Sequence, residues 1–340
     1  MHFLLQKQTV EGWENGMLRC LEEEIVRQTG AQRIMVANCP LGKTLERRFT
    51  QGGRYGKLRR FLPKRSLPIP SSAKVVWHVL MGPENYNLDL FRDWSGPCRH
   101  IVYLFDTLPS QMETIRRLFS GKEWDVCVTS FNDAVPLLER GTGRRWQQAD
   151  QAVTLDYFPT VPVAEKVIHF SSYGRRHPRV HEAVLRFCAA NKLYYDFTTH
   201  NRVGATAEPL TLFRQFAWHL SHSLFTFCWP VEVTNPQRAG ALSPITCRWF
   251  EAAAAGAVML GQAPANPHFQ SFFGENAVTP MNPEADIDTI LRQLEEIWRQ
   301  RATLSARAAA LRQTLGDRLD WADRVRRMLG FIESDRPSNP

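Results

Sequence analysis

The chain has 340 residues and a mass of 39.0 kDa, with 44% apolar and 22% charged residues, which suits two globular domains. Its seven cysteines never form a C-x-x-C pair, which argues against a disulfide framework or a zinc site. No apolar run is long enough to cross a membrane and the start does not resemble a signal peptide, so we predict a cytoplasmic protein.

Short apolar runs separated by helical patterns fill the first 150 residues. A helix predicted over 15–29 ends at Gly30, a residue typical of helix C-termini. Strands are predicted within 2–9, 33–40, 73–82, 99–109 and 124–131. Near-continuous apolar strands that alternate with helices indicate a parallel sheet covered on both faces, so we predict a doubly wound α/β domain.

The formal charge of +8 is concentrated in residues 43–65, which hold nine basic residues and one acid. Glycines and prolines in this segment predict a loop or a short broken helix. Such a patch attracts phosphate groups, so contact with an anionic membrane surface at the inner face is one interpretation. A solvated basic surface is the alternative. Nucleic-acid binding is ranked last because only Phe49, Tyr55 and Phe61 supply aromatic rings.

The α/β pattern restarts after a proline-punctuated linker at 158–166. Further strands are predicted within 166–174, 193–199, 224–230, 257–260 and 276–280, with helices at 177–192, 210–223, 286–315 and 319–329. We predict a first domain over 1–160, a second over 161–317, a helix at 318–332 that packs back toward the first domain, and a tail at 333–340. Ligands of such sheets bind at the carboxyl ends of the strands, which we expect to face a cleft.

The segment "SPITCRWFEAAAAGAVML" at 243–260 places two charges in a small, apolar run. Its start supplies candidate cap residues and a proline for a helix whose N–H groups and dipole suit phosphate: Ser243, Pro244, Ile245 and Thr246. The alternative is a buried helix in which Glu251 pairs with Arg248 at i,i+3. Both interpretations stay open at this level.

This segment resembles a motif of the retaining group-1 (family-4-like) GT-B glycosyltransferases and of their spore-maturation-protein-like relatives. The motif reads R-x-F/L-E-A-x-A-x-G-A/T, and the matching residues are Arg248, Phe250, Glu251, Ala252, Ala254, Gly256 and Ala257. The resemblance extends over 126–329. It implies two Rossmann-like domains facing a cleft, with Glu251 on the ribose of a nucleotide-sugar and the preceding residues on its diphosphate.

One position departs from the family pattern. Members carry two glutamates separated by seven residues, and the first of them reaches the sugar ring. Here Ser243 occupies the position of that first acid. The resemblance therefore transfers a ribose contact to Glu251 but leaves the contact to the donor sugar without a residue.

The segment "FSSYGRRHPR" at 170–179 is similar to the family's glycine-and-arginine loop, whose basic side chains neutralise the donor diphosphate. The resemblance implies donor contacts at Gly174, with Arg175 and Arg176 stabilising the charge that builds on the departing nucleoside diphosphate. Arg179 and Arg248 are lesser candidates. The alternative for the two central arginines is a solvated loop pair.

An Asp-x-Asp pair at Asp286 and Asp288 invites a metal-dependent interpretation. It precedes a long helical pattern, where acids in the first turn suit the helix dipole. We therefore predict helix capping here, and neither a metal nor a cofactor.

Candidate acceptor-side residues lie in the first domain. Asp106 follows an apolar strand, a position where burying an acid is costly unless it binds something. His78 is a candidate base or, alternatively, a core histidine. Trp13, Asn15 and Glu84 follow strands at the same edge and are predicted to line the acceptor site.

The prediction is a metal-independent, retaining transfer of a sugar from a UDP- or GDP-linked donor. The acceptor is a glycan, a lipid-linked sugar, a small molecule or a protein. Two alternatives are a non-catalytic nucleotide-sugar-binding or partner protein of the same fold, and a nucleotide-sugar epimerase.

Overall fold

The computed structural model describes residues 1–7, 15–36, 69–82, 98–120, 123–198 and 208–334. These residues form two compact units. The first comprises Met1–Asp150 with Arg324–Pro340, and the second comprises Gln151–Asp323. Among the described helices, none combines the length and the apolar composition that a membrane span requires.

The first unit is built on parallel strands. They are β1 (His2–Lys7), β2 (Gln32–Val36), β3 (Val75–Leu80), β4 (Arg99–Leu104), β5 (Val126–Thr129) and β6 (Trp146–Gln148). Its helices are α1 (Gly16–Thr29), α2 (Met112–Phe119) and α3 (Val135–Thr142). The described strands form a six-stranded sheet in the order β2-β1-β3-β4-β5-β6. Every residue of β3 is buried, as expected for a strand covered on both faces.

The second unit repeats this architecture. Its strands are β7 (Ile168–Ser172), β8 (Tyr195–Phe197), β9 (Ser223–Cys228), β10 (Val258–Gly261) and β11 (Val278–Pro280). Its helices, with the last one continuing into the first unit, are α4 (Pro178–Asn191), α5 (Pro209–Ser221), α6 (Val231–Thr234), α7 (Pro236–Ala239), α8 (Cys247–Ala254), α9 (Pro267–Phe273), α10 (Ile287–Arg299), α11 (Arg301–Leu315) and α12 (Trp321–Ser334). The described strands form a parallel sheet in the order β11-β10-β9-β7-β8.

Both sheets share one strand order, since each unit places its first strand between its second and its third. The second strand is therefore added on one side of the first strand and the third on the other, so the connections on the two sides run in opposite directions from that point. In the second unit this point lies between β7 and β9, whose carboxyl ends are Ser172 and Cys228. Ligands of open α/β sheets bind at such a point.

The predicted fold class, two doubly wound α/β units, is confirmed. Several local details differ from the prediction. The helical run predicted over 286–315 is broken at Gln300 into α10 and α11, strand β6 and helix α2 were not predicted, and α8 starts at Cys247, three residues after Pro244. A three-residue strand such as β6 is too short for its side-chain pattern to be read.

The terminal helix α12 contributes to the first unit from Arg324 onward. The Arg324 Nε donates a hydrogen bond to the Asp150 carbonyl at 3.2 Å, and Arg99 Nη1 donates to the Ile332 carbonyl. These bonds tie the end of the described chain to the first sheet.

Candidate functional site

Helix α8 carries the charged pair that the sequence singled out. Its N-cap residue, Thr246, is extended with ψ 169°, so the chain runs straight into the first turn at Cys247. From Trp249 to Ala254 every side chain is buried. Because all six residues from Ala252 to Ala257 are alanine or glycine, the C-terminal half of α8 fits closely against its neighbours.

Arg248 and Glu251 form an ion pair on α8. The Arg248 Nη1 lies 2.9 Å from Glu251 Oε2, and the two side chains are 12% and 1% exposed. Burial raises the pKa of Glu251, and the adjacent Arg248 guanidinium opposes that rise. The i,i+3 pair considered from the sequence is therefore present. A buried pair such as this carries a large desolvation cost, so its stability contribution alone does not account for it.

Gly174 links this pair to the loop that follows β7. Gly174 has a φ of 86°, and a Cβ at this position would lie 3.3 Å from Arg248 Nη2. The same guanidinium lies over the Phe216 ring at 5.1 Å from its centre. The structure thus brings together Gly174 and Arg248, two predicted donor-binding residues from distant parts of the sequence, at the carboxyl end of β7.

A polar network fixes the loop after β7 to the edge strand β8. The Tyr173 hydroxyl donates a hydrogen bond to Asp196 Oδ2 at 2.8 Å, and His219 Nδ1 lies 3.0 Å from the same oxygen. The Gly174 N–H donates to Thr198 Oγ1 at 3.1 Å. The sequence gives no signal for this network because its members lie on three separate elements.

The three arginines of this loop region have different surroundings. Arg176 stacks over the Phe197 ring at 5.1 Å, and its Nη1 is buried with no hydrogen-bond partner among the residues described. Arg179 Nη1 instead donates to the Glu284 carbonyl at 2.7 Å, which ties it to the segment before α10. Arg175 is exposed. Of the three, Arg176 has the buried N–H group best suited to an anion.

The segment before α8 is buried and contains two hydroxyl side chains. Thr246 Oγ1 is buried and has no hydrogen-bond partner within the described part of the chain. Pro244 and Ile245 are buried beside it. The Ser243 hydroxyl donates a hydrogen bond to Glu232 Oε1, and the Asn266 Nδ2 donates to the Ser243 carbonyl at 3.1 Å. Glu232 was not predicted as a site residue, because no motif of the sequence contains it.

Asp286 caps helix α10, as its sequence context indicated. Its carboxylate accepts hydrogen bonds from the Thr289 N–H and hydroxyl, both at 2.8 Å, and these bonds lower its pKa. Asp288 lies in the first turn of the same helix. Over the residues that the structure describes, no group of three acidic, histidine or cysteine side chains is arranged to hold a metal ion.

Asp106 in the first unit has a strained backbone. It follows β4 by two residues and is half-buried, and its φ of 20° is rare for a residue with a side chain. Strain of this kind concentrates at functional sites. Asn15 is the N-cap residue of α1, while Trp13, Glu84 and the basic segment 43–65 lie outside the described residues.

His78 lies inside the first sheet and not at its edge. It is 1% exposed, its Nε2 is 3.0 Å from His100 Nδ1, and its ring packs edge-on against Trp124. Burial holds the pKa of His78 well below its ordinary value. These surroundings match the core histidine considered as the alternative.

Comparisons with known proteins find a matching family model and similar solved structures. Residues 163–330 match the family model described as glycosyl transferase-like. A sequence comparison with curated proteins finds no match. Similar solved structures include sucrose-phosphate synthase from Thermosynechococcus elongatus, with 12% identity, a TM-score of 0.58 and 98% of each chain covered.

Two further solved structures resemble the chain. Trehalose-6-phosphate synthase from E. coli, bound with UDP-2-fluoro glucose, has 11% identity, a TM-score of 0.56 and 99% of each chain covered. A UDP-N-acetylglucosamine 2-epimerase has 11% identity and a TM-score of 0.55, covering 100% of this chain and 98% of its own. The chain therefore has the GT-B fold, and its residues 163–330 match the glycosyl transferase-like family model.

Proposed function

We propose that the protein transfers a sugar from a nucleotide-sugar donor to an acceptor and binds the donor in its second unit. The observation that carries this proposal is the convergence of two segments at the carboxyl end of β7. There the Gly174 loop contacts Arg248, which pairs with the buried Glu251. The match to the glycosyl transferase-like family model covers both segments.

The donor diphosphate is assigned to the start of α8. A helix N-terminus presents N–H groups and a positive dipole end to an anion. The Thr246 hydroxyl, which has no hydrogen-bond partner among the described residues, lies at this terminus and supplies one more donor. The segment formed by Ser243, Pro244 and Ile245 leads into it. Arg176, a half-buried cation, adds a buried Nη1 for which the described residues supply no hydrogen-bond partner.

The donor ribose is assigned to Glu251. An ionised carboxylate offers both oxygens as strong acceptors to the two hydroxyls of a vicinal diol, whereas the protonated acid turns one oxygen into a donor. The role of Arg248 is to keep the buried Glu251 charged, since burial alone would favour the protonated acid. The ion pair and the ribose contact are thus compatible, because the first enables the second.

Departure of the nucleoside diphosphate leaves negative charge that fixed cations can stabilise without a metal. Arg175 and Arg176 are the proposed cations, and the expected transfer retains the configuration at the anomeric carbon. On the acceptor side, the strained Asp106 is the proposed polar clamp or base. The acceptor is a glycan, a lipid-linked sugar, a small molecule or a protein, with segment 43–65 available for an anionic surface.

Thermal unfolding with UDP, GDP, dTDP, ADP and CMP, each with Mg²⁺ or with EDTA, tests the donor site. A ligand that binds only the folded protein must raise Tm. We expect a rise with one nucleotide, equal in Mg²⁺ and EDTA, that is lost in Glu251→Gln. The control variant Glu296→Gln carries the same change on the exposed side of α10 and should keep the rise.

Incubating the matching nucleotide-sugar with candidate acceptors then distinguishes the enzymes of this fold. Release of the nucleoside diphosphate with a glycosylated acceptor supports a transferase. Conversion of the nucleotide-sugar into an epimer would instead support an epimerase, and binding without turnover a sensor or partner protein. No Tm rise with any nucleotide would contradict the proposal.

A further inference from the structure

Glu232 lies at the carboxyl edge of the second sheet, next to the candidate donor site. It belongs to the short helix α6, and Cys228, the last residue of β9, precedes it by four positions. Strand β9 forms one side of the point where the strand order reverses. Glu232 therefore occupies the sheet edge at which ligands of this architecture bind.

The Glu232 carboxylate is held by a hydroxyl that is itself fixed. Ser243, eleven residues further along the chain, donates its hydroxyl hydrogen to Glu232 Oε1. The Ser243 carbonyl accepts a hydrogen bond from Asn266 Nδ2 at 3.1 Å, while the Asn266 Oδ1 caps α9 by accepting from the His268 N–H. The carboxylate orientation is thus set by two anchored loops and not by a flexible side chain.

Among the described residues, the second carboxylate oxygen has no such partner. Glu232 Oε2 is buried, and no residue in the described ranges donates a hydrogen bond to it. A buried acceptor without a donor costs free energy, so a residue with a purely structural role would be expected to satisfy both oxygens. The arrangement leaves one acceptor for a ligand that can donate.

The chemistry of the Glu232 carboxylate determines which part of a ligand it can bind. A carboxylate accepts hydrogen bonds and repels another anion, so it suits neither a phosphate nor a diphosphate. The hydroxyl groups of a sugar are uncharged and donate. We propose that Glu232, positioned by Ser243, accepts hydrogen bonds from hydroxyl groups of the sugar that is transferred.

This inference rests on the proposed function and explains the departure at Ser243. The position that carries an acid in the resembled family carries a serine here. The hydroxyl of that serine donates a hydrogen bond to the carboxylate of Glu232, eleven residues earlier in the chain. Ser243 is in this account a positioning residue, and Glu232 is the residue that contacts the sugar.

Isothermal titration separates the sugar contact from the nucleotide contact. The probes are UDP, GDP, dTDP and ADP, each compared with its glucose-, galactose-, mannose- and N-acetylglucosamine-linked forms that can be obtained, on wild type and Glu232→Gln. We expect Glu232→Gln to weaken the best nucleotide-sugar by about tenfold or more, as for the loss of a hydrogen bond to a charged group. Its Kd for the free nucleoside diphosphate should stay within about twofold, which also shows that the variant is folded.

Two more variants complete the test. Ser243→Ala leaves the Glu232 carboxylate in place but removes the hydroxyl that fixes its orientation. It should therefore weaken binding of the nucleotide-sugar by less than Glu232→Gln does. Glu296→Gln, the same chemical change on the surface of α10, should alter neither Kd. Equal losses of affinity for the nucleotide and the nucleotide-sugar in Glu232→Gln, or no loss of affinity for either, would overturn the inference and leave the proposed function standing. Failure of wild type to bind any probe would overturn both.

Discussion

Each unit of the molecule buries one arginine and one glutamate three residues apart on a helix. In the first unit, Arg19 Nη1 lies 2.5 Å from Glu22 Oε2 on α1, and in the second, Arg248 Nη1 lies 2.9 Å from Glu251 Oε2 on α8. Both glutamates are almost completely inaccessible, and in both cases burial raises the carboxyl pKa. The local pattern R-x-x-E is the same.

The surroundings of the two pairs differ. Glu22 accepts a further hydrogen bond from Gln6 Nε2 at 2.8 Å, so the first pair is bonded to strand β1 of its own sheet. Arg248 instead lies over Phe216 and against the glycine loop that ends β7. A buried R-x-x-E pair therefore does not by itself identify a ligand site, whereas its contacts with a strand or a glycine loop distinguish the two cases.

The largest expected effect is common to both pairs. Removing one partner leaves a buried charge without compensation, so Glu22→Ala and Glu251→Ala should each lower the free energy of unfolding by about 3–5 kcal/mol. Urea unfolding followed by circular dichroism and by tryptophan fluorescence measures this loss. A loss below about 1 kcal/mol in either variant would show that its arginine finds another partner.

The pH dependence of stability tests the first pair next. Burial raises the pKa of Glu22 to about 7 from an unfolded value of 4.5, so between these values the folded state binds more protons than the unfolded state. Stability therefore falls as pH rises through this window, with Glu22 contributing on the order of 3 kcal/mol.

Urea unfolding at pH 5 and pH 8 measures that slope, and Glu22→Gln should flatten it. Glu23→Gln changes an exposed neighbour on the same helix and should keep it. An unchanged slope in Glu22→Gln would mean that Arg19 and Gln6 hold the carboxyl ionised at neutral pH.

A smaller effect tests the glycine contact that the second pair makes. Gly174→Ala and Gly274→Ala both place a side chain on a backbone with φ 86°, at a cost of about 1–3 kcal/mol each. An added Cβ at Gly274 meets nothing within 4 Å, whereas at Gly174 it meets Arg248. We expect only Gly174→Ala to weaken nucleotide binding in a titration. Equal binding by both variants would separate the loop from the donor site.

The smallest expected effect concerns Asp286. Loss of its helix cap in Asp286→Ala should lower Tm by about 2–4 °C and leave nucleotide affinity unchanged in Mg²⁺ and in EDTA. Differential scanning calorimetry and titration measure the two quantities. A Mg²⁺ requirement that disappears in Asp286→Ala would restore the metal-dependent interpretation of this acid.

Local features of the molecule could be predicted from the sequence. Apolar runs located most strands, Gly30 marked the end of α1, and the i,i+3 spacing suggested the Arg248–Glu251 pair, because each depends on neighbours along the chain. The break at Gln300 was missed, since helical periodicity continues on both sides of it.

Contacts between distant segments could not be predicted. Gly174 approaches Arg248 only because β7 ends beside α8 in the folded sheet, and Glu232 reaches Ser243 across a loop that no motif spans. For His78, the strand was evident in the sequence, but its partner His100 comes from the adjacent strand. These contacts depend on the order of the strands in each sheet, which cannot be derived from a single sequence.

The most direct test of the central claim compares the two pairs by titration with the nucleotide that stabilises the wild-type protein. Glu251→Gln and Glu22→Gln make the same chemical change in equally buried pairs. The donor-site account predicts that Glu251→Gln weakens the nucleotide by about tenfold or more while Glu22→Gln leaves its Kd within about twofold. Equal Kd values for the two variants would contradict it.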